Sequence, residues 1–168
     1  MTTKNETIIL GIDPGFGRMG YGVIQKLKTG EWRALDFGCV DTSPKKNFVA
    51  RLQEVYEGVD FLIKKYKPSV VGVEKLYFAR NVTTAIEVAQ ARGVILLCAA
   101  QSGLQIDEFT PQQVKQAITG YGKAEKSQMQ KMVAIILEIK GKIKSDDAAD
   151  ALAIALCTGQ SLWLKKVK

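Results

Sequence analysis

IILGID, residues 8–13, is a short apolar run that ends in a carboxylate. Its composition predicts a buried strand over residues 7–13, and the Pro-Gly pair that follows it is typical of a turn. A second apolar run, VVGVE at residues 70–74, also ends in an acid. Both runs are apolar on both faces, which is typical of neighbouring strands in a parallel sheet. Parallel neighbours would bring Asp13 and Glu74 to one edge of the sheet, where α/β proteins bind their ligands.

The rest of the chain alternates strand and helix patterns around these two runs. Period-two alternation predicts strands, helical spacing predicts helices, and Gly and Pro mark the turns between them. The further predicted elements are strands over residues 20–27, 31–40 and 104–109, and helices over 47–66, 83–101, 111–119, 129–139 and 146–160, with a basic loop over 120–128. This order predicts one α/β domain over residues 1–168, with a mixed five-stranded sheet flanked by helices on both faces.

Charge and composition narrow the function classes. The 24 lysines and arginines against 17 aspartates and glutamates give a net charge of +7, which favours an anionic partner. The chain has no histidine, which excludes Ser-His-Asp triads and His-ligated zinc. Its three cysteines form no Cys-x-x-Cys pair, and no apolar run reaches the roughly 18 residues of a membrane span. We expect a cytoplasmic protein that does not contact a membrane.

One glycine pattern near the N-terminus resembles a nucleotide-binding fingerprint. Gly15, Gly17 and Gly20 spell G-x-G-x-x-G directly after the first predicted strand. A dinucleotide site needs a helix to begin there, so that the helix N-terminus can hold a pyrophosphate. Residues 20–27 instead alternate in hydrophobicity, which predicts a strand. We therefore interpret the match as accidental.

The segment SDDAADALAIAL, residues 145–156, supplies a third set of acids. Asp147 and Asp150 are spaced i, i+3, which puts them on one helix face about 5–6 Å apart. The helix dipole explains Asp146 and Asp147, but Asp150 lies on a helix that is apolar nearly all round. A buried carboxylate needs a partner, and no equally apolar stretch supplies Arg or Lys. Together with the two strand-end acids, these residues predict a Mg²⁺ site suited to phosphoryl displacement.

Five stretches of the chain closely resemble the RuvC family of Holliday junction resolvases. They cover most of the sequence, in the family's order and spacing: LGIDPGFGRMGYGVI, VGVEKLYFARN, QARGV, TPQQVKQAITGYGKAEKSQMQ and SDDAADALAIA. The resemblance implies an RNase H-like fold and assigns the family's catalytic and metal-binding acids to Asp13, Glu74, Asp147 and Asp150. Some members carry histidine in the last acidic cluster, where this chain has aspartate, and the role of Asp146 stays open.

The same resemblance implies a function. It indicates a homodimeric, Mg²⁺-dependent endonuclease of DNA recombination and repair, with two ions per active site and Mn²⁺ as a substitute. Such an enzyme resolves four-way DNA junctions by symmetric nicks in two strands of like polarity. A branch-migration helicase complex is the further partner that the family implies.

Two aromatic residues shortly after Glu74 are candidates for base stacking. Tyr77 and Phe78 lie with Lys75 and Arg80 in KLYFARN, a combination that suits an opened DNA junction. Tyr77 matches the family's wedge aromatic, which is usually Phe, so its hydroxyl is a departure. The alternative is that one of the pair is a core residue, and Phe78 fits either role.

Basic residues further along the chain are candidates for phosphate contacts. Lys115 and Lys126 lie in blocks that match the family, VKQ and EKSQ, and Lys123 lies between them beside glycines. Each alone is typical of a solvated surface lysine, but together they predict a loop that contacts DNA phosphates.

The long helix predicted over 83–101 has more apolar surface than one face of a sheet needs. We interpret the excess as a dimer interface, which agrees with the family, and we place Val94 on that face. The alternative is that the helix is simply core, in which case a charge at Val94 would unfold the chain.

Three other functions compete with junction cleavage. An RNase H-like nuclease could act on another substrate, such as an RNA–DNA hybrid. A non-catalytic protein could bind junctions alone, although four acids near phosphates argue against it because like charges repel. An actin-like ATPase begins its phosphate loop with a similar strand and acid, but such proteins need two domains of this kind, and 168 residues supply one.

Overall fold

The computed structural model describes residues 7–76 and 82–167, and this part of the chain contains five strands and five helices in the predicted order. The strands are β1 (Ile8–Asp13), β2 (Arg18–Lys26), β3 (Trp32–Asp41), β4 (Val70–Glu74) and β5 (Gln105–Phe109). The helices are α1 (Phe48–Tyr66), α2 (Val82–Gln101), α3 (Pro111–Thr119), α4 (Lys126–Ile136) and α5 (Asp146–Val167). None of the helices in the described residues combines the length and hydropathy that a membrane crossing requires.

The strands form one mixed sheet in the order β3-β2-β1-β4-β5. β1 pairs antiparallel with β2 and parallel with β4, and β4 pairs parallel with β5. The parallel register aligns Ile12 with Val73, so Asp13 and Glu74 end neighbouring strands at the same edge of the sheet. This confirms the placement that the two apolar runs predict.

Alternate residues of β1 face two different cores, as the period of two in a strand requires. Leu10 and Ile12 pack with residues of α1 and α2 on one face of the sheet. Ile9 packs with residues of α3, α4 and α5 on the other face. All three side chains are fully buried. Helices therefore flank the sheet on both faces, as the sequence predicts.

Three glycines form a row across the middle of the sheet. Gly22, Gly11 and Gly72 are register partners on β2, β1 and β4. α5 lies directly on this glycine row: a Cβ built on Gly11 would lie 2.1 Å from the Ala151 carbonyl oxygen, and one on Gly72 would lie 2.0 Å from Thr158 Oγ1. Both distances are far below van der Waals contact, so only glycine lets the helix approach this closely.

α4 begins earlier than the sequence predicts, at Lys126 rather than at residue 129. The Gln128 side chain accepts a hydrogen bond from the Glu125 N–H at 3.1 Å, which closes the first turn. The helix ends at Ile136, before Glu138 adopts a φ of 52°. The predicted basic loop is therefore shorter, and Lys126 lies on a helix.

α5 is longer than the sequence predicts and continues to Val167 instead of ending at residue 160. The polar Gln160, which suggests a helix end, donates a hydrogen bond to the Ala117 carbonyl at 3.0 Å. This bond ties α5 to α3 and lets the helix run on past the sheet.

Candidate active site

Asp13 at the end of β1 and Glu74 at the end of β4 are both half-buried. Burial raises the pKa of Asp13 to about 8, and repulsion by the other acids nearby adds to this shift. Burial likewise raises the pKa of Glu74 to about 7, with repulsion by a neighbouring carboxylate as the next cause. The structure thus brings the four predicted acids together into an acid cluster, which consists of Asp13, Glu74, Asp147 and Asp150.

Close packing sets the start of α5 against the sheet. Ser145 Oγ accepts a hydrogen bond from the Ala148 N–H at 3.3 Å, which caps the first turn. A Cβ built on Gly20 would lie 2.1 Å from the Asp147 carbonyl oxygen. Because Gly20 is the register partner of Asp13, this contact holds the first turn of α5 beside the end of β1.

Gly20 is also the last glycine of the G-x-G-x-x-G pattern. β2 begins at Arg18, inside the pattern, so no helix begins there. The prediction of a strand over residues 20–27, where a dinucleotide site would need a helix, is therefore confirmed. Gly20 serves close helix packing instead of phosphate binding.

Asp150 has a lysine partner, which comes from a polar stretch and not from an apolar one. Lys126 Nζ lies 3.2 Å from Asp150 Oδ2 and 3.4 Å from Asp146 Oδ2. The prediction searched apolar stretches, whereas Lys126 reaches across from the polar start of α4. Burial still raises the pKa of Asp150 above its ordinary value. Asp150 Oδ1 is buried and has no hydrogen-bond partner among the described residues.

A cleft of about 170 Å³ lies where the acid cluster meets α3 and α4. Glu74, Asp150, Lys115 and Lys126 all line it. The two lysines act to lower the pKa of Glu74 and so oppose the effect of burial. Lys123 is exposed between α3 and α4 and is not among the described residues that line the cleft. The structure thus brings two of the three predicted lysines to the acids.

The predicted DNA-contacting residues Tyr77, Phe78 and Arg80 lie outside the described residues. The chain places them between the end of β4 and the start of α2. Their role stays a prediction.

Asp146 and Gln130 form a contact that sequence reasoning missed. Gln130 Nε2 donates a hydrogen bond to Asp146 Oδ1 at 2.8 Å, and this bond, together with Lys126, lowers the pKa of Asp146. Lys126 and Gln130 are spaced i, i+4 and share a face of α4, which is the signal in the sequence for a shared partner. Asp146 therefore stays ionised while burial favours the protonated form of Asp13.

The donor set fits a hard divalent cation in its chemistry. The acid cluster offers carboxylate oxygens, which such cations prefer, and Asp150 Oδ1 has no partner in the part of the chain that the structure describes. Within residues 7–76 and 82–167, however, no three acidic or cysteine side chains stand close enough together to hold a metal ion. An ion at this site would therefore take one or two of the carboxylates and keep water or phosphate oxygens as its other ligands.

α2 carries an exposed apolar stripe. Ile86 and Leu97 are 52% and 54% exposed, and a Cβ built on Gly93 between them meets no atom of the described residues within 4 Å. These three positions share one face at helical spacing. Val94 is half-buried: part of its side chain packs against the core between the sheet, α1 and α2, so it lies beside this exposed stripe and not on it.

Sequence comparison identifies similar proteins across nearly the whole chain. A family model described as crossover junction endodeoxyribonuclease RuvC matches residues 9–158. A relative with this description from Clostridioides difficile is 49% identical over 159 residues, which cover 95% of this chain and 94% of the relative. One from Petrotoga mobilis is 50% identical over 152 residues, which cover 90% and 93% of the two chains.

Solved structures show the same similarity. The Thermus thermophilus RuvC structure superposes with a TM-score of 0.87 at 33% identity and covers 95% of this chain and 97% of its own. The same protein in complex with Holliday junction substrate gives a TM-score of 0.89 at 33% identity, covering 95% and 96%. The yeast mitochondrial Holliday junction resolvase Ydc2, at 14% identity and a TM-score of 0.67, shares the fold. The fold is thus the RNase H-like α/β fold that the sequence predicts.

Proposed function

The chain belongs to the RuvC family of crossover junction endodeoxyribonucleases, and from this premise we propose that it resolves Holliday junctions by paired, symmetric nicks in two strands of like polarity. The observation that carries the proposal is the acid cluster, in which two strand ends and the first two turns of one helix bring four carboxylates together. Three of these carboxyl groups have raised pKa values because they are buried, an arrangement typical of a functional site.

The metal-binding role is assigned to Asp13, Glu74, Asp147 and Asp150. The chemistry of the oxygen donors favours Mg²⁺, with Mn²⁺ as a substitute. Two such ions would supply an activated water and stabilise the leaving oxygen during in-line cleavage of the phosphodiester. The unpaired, buried Asp150 Oδ1 is the donor whose desolvation such an ion would offset.

The two lysines of the cleft reduce the negative charge that a DNA strand would meet at the acid cluster. Lys126 neutralises part of the charge of Asp150 and Asp146, with its ammonium 3.2 and 3.4 Å from the two carboxylates. Lys115 lines the same cleft beside Glu74. An acid cluster alone repels phosphates, so these two lysines would let a DNA strand approach the carboxylates. Exposed Lys123 would contact phosphate outside the cleft.

The segment after β4 is the part of the chain that we assign to the opened junction. Tyr77 and Phe78 would stack on bases and Arg80 would contact the backbone, within a few residues of Glu74. One similar protein is described in complex with Holliday junction substrate, and this chain matches it over 95% of its length. That similarity supports a four-way junction as the substrate.

A two-fold dimer accounts for paired nicks, because it presents two identical sites to strands of like polarity. The exposed stripe through Ile86, Gly93 and Leu97 on α2 is the surface that we assign to the dimer. Its small central residue lets two helices approach closely. We further assign residues 1–168 to one domain that works in the cytoplasm with a branch-migration helicase complex, in recombination and repair.

A mobile four-way junction tests the proposal directly. Each strand is labelled in turn, and the chain is incubated with the junction and Mg²⁺, Mn²⁺ or Ca²⁺. We expect nicks at symmetric positions in two strands of like polarity with Mg²⁺ or Mn²⁺, and binding with little cleavage in Ca²⁺, whose larger and looser coordination misplaces the attacking water.

A linear duplex and an RNA–DNA hybrid of the same sequence are the controls. Faster cleavage of the hybrid would favour a hybrid-cleaving nuclease. Tight junction binding without nicks in any of the cations would favour a non-catalytic binding protein. Either result would overturn the proposed function.

A further inference from the structure

Arg92 on α2 contacts the end of the strand that carries Glu74. Its Nε donates a hydrogen bond to the Glu74 carbonyl oxygen at 3.0 Å. Its Nη2 forms an ion pair with Glu108 on β5. The Arg92 side chain is only 17% exposed. One guanidinium therefore ties a helix to the last residues of two parallel strands.

Hydrogen bonds to β5 also hold the backbone at the end of β4. Val73 and Glu74 are register partners of Glu108 and Phe109, and the Lys75 N–H donates to the Phe109 carbonyl at 2.7 Å. The ladder thus continues one residue beyond β4. Arg92 adds the contact from the helix side, so the end of β4 is held by both a strand and a helix.

The position of Arg92 in the chain gives this contact a second consequence. The residues from 75 to 81 connect β4 to α2. Arg92 belongs to the helix that follows this connection and binds the residue that precedes it. The contact therefore links the last residue before this connection to the helix that follows it, and the connection carries the proposed stacking residues.

We propose that Arg92 is a positioning residue that fixes the end of β4, and with it the Glu74 carboxylate, relative to the rest of the acid cluster. This inference rests on the proposed function. The Glu74 carbonyl carbon is bonded to the Cα that carries the carboxylate side chain, so a shift of the strand end at this carbonyl moves that Cα and the carboxylate with it. A displacement of about 1 Å at a catalytic group can cost on the order of 10²-fold in rate.

The competing explanation is that Arg92 is only part of the packing between α2 and the sheet. Burial lowers the pKa of Arg92 from its ordinary value, which shows that its charge is partly desolvated. Removing such a group would destabilise the fold without a specific effect on chemistry. Junction affinity and the single-turnover rate at saturating enzyme separate the two explanations.

The test uses the full chain with Arg92→Lys, Arg92→Met and Glu108→Gln. The matched control is Arg33→Met, since Arg33 is exposed on β3 and donates only a 3.3 Å hydrogen bond to Gln25 among the contacts described. We expect Arg92→Met to lower the single-turnover rate about 10- to 100-fold, with the junction Kd changed less than about threefold. Lysine cannot reach both partners as a fork, so Arg92→Lys should lose at least about fivefold.

Glu108→Gln keeps an acceptor for Arg92 and leaves the bond to Glu74, so its rate should stay within about threefold of the wild type. Arg33→Met should match the wild type. If Arg92→Met does not fold, Arg92→Lys carries the test. A wild-type rate in the folded Arg92 variants, with only a lower melting temperature, would overturn the positioning role.

If the proposed function is wrong, the same experiment gives a different result. In that case the wild-type chain itself would not nick the junction, and the role of Arg92 in nicking would fall with it. Nicking by the wild type together with an unchanged rate in Arg92→Lys would overturn the inference about Arg92 alone.

Discussion

α5 and α2 are both long, mostly apolar helices in the sequence, but they pack against opposite faces of the sheet in different ways. α5 lies on the glycine row, and apart from Asp150 every side chain from Ala148 to Thr158 is at most 5% exposed. α2 lies on a face without such a row, and Ile86 and Leu97 are left more than half exposed. The hydrophobicity of a helix therefore does not reveal its role, whereas glycines in the strands below it do.

The difference has consequences for function. Close contact at Gly20 and Gly11 leaves α5 no freedom to slide, which suits a helix that must hold two acids beside the strand ends. The outer face of α2 is open, which suits a surface for a second subunit. The following predictions test this contrast, from the largest expected effect to the smallest.

The largest effect is expected from a methyl group in the glycine row. In Gly11→Ala the new Cβ would lie 2.1 Å from the Ala151 carbonyl oxygen and 2.6 Å from the Ala155 nitrogen, both backbone atoms that cannot move alone. We expect the free energy of unfolding to fall by about 3 kcal/mol or more. Urea unfolding at a fixed protein concentration measures it.

Gly93→Ala on α2 is the matched control. A Cβ at this helical position meets no atom within 4 Å among the described residues of the single chain, so at concentrations below dimerisation alanine should raise the free energy of unfolding by about 0.5–1 kcal/mol. If Gly93→Ala were as damaging as Gly11→Ala, both helices would be equally closely covered and the contrast would fail.

The next effect is the pH dependence of stability in the presence of a chelator. The folded pKa of Asp13 is raised to about 8 and that of Glu74 to about 7, so both groups bind protons in the folded chain at pH values where the unfolded chain has lost them. The free energy of unfolding should therefore fall as the pH rises towards 9, by about 2–3 kcal/mol for Asp13 alone between pH 6 and 9.

Asp13→Asn removes this titration, so the free energy of unfolding should depend less on pH. The variant should gain most of its stability relative to the wild type above pH 8. Because the chain has no histidine, few other groups titrate in this range. Adding Mg²⁺ at pH 9 should restore stability to the wild type and much less to the variant. If the free energy of unfolding changed with pH in the same way for the wild type and for Asp13→Asn, the buried Asp13 would not be the cause of the pH dependence.

A smaller effect is expected at the α2 stripe. Leu97→Glu puts a charge on an exposed position and should weaken the dimer by at least about tenfold while the circular dichroism of the chain is unchanged. Val94 is half-buried against the core, so Val94→Glu places a charge there and should destabilise the fold instead. Sedimentation and circular dichroism separate the outcomes. A folded dimer of Leu97→Glu at low concentration would remove this stripe from the interface.

The smallest effect is expected in the salt dependence of DNA binding, which reports the phosphate contacts made by lysines on each face of the sheet. Lys115 on α3 lies on the face of the sheet that α5 covers, so Lys115→Ala should lower the slope of log K against log salt by about 0.9. Lys64 on α1 lies on the face that α2 covers and pairs with Asp60, so Lys64→Ala should leave the slope unchanged. Equal slopes for both variants would show that DNA does not follow the cleft.

Much of the fold follows from local pattern. The two apolar runs that end in Asp13 and Glu74 predict parallel neighbours, and the i, i+3 spacing of Asp147 and Asp150 predicts a shared helix face. Those features need only the periodicity of strands and helices. The four acids therefore come together as expected, and the order of elements is confirmed.

What sequence reasoning missed depends on register and long-range packing. The glycine row exists only once β2, β1 and β4 are aligned, and no single strand shows it. Lys126 reaches Asp150 from another helix, so a search among apolar stretches could not find it. Arg92 lies in the family-like block QARGV, but its contact with the Glu74 backbone depends on how α2 crosses the strand ends.

The most direct test of the active site compares two neighbouring acids of α5. Asp150 is half-buried in the acid cluster with an unpaired Oδ1, whereas Asp146 is exposed and bound by Gln130 and Lys126. Nicking of a mobile four-way junction in Mg²⁺ is measured for Asp150→Asn and Asp146→Asn, with junction affinity measured in Ca²⁺. We expect Asp150→Asn to lose at least about 100-fold in rate with affinity kept or increased, and Asp146→Asn to stay within about fivefold of the wild type. Near-normal nicking by Asp150→Asn, or equal losses in both variants, would contradict the assignment of the acid cluster as the nuclease site.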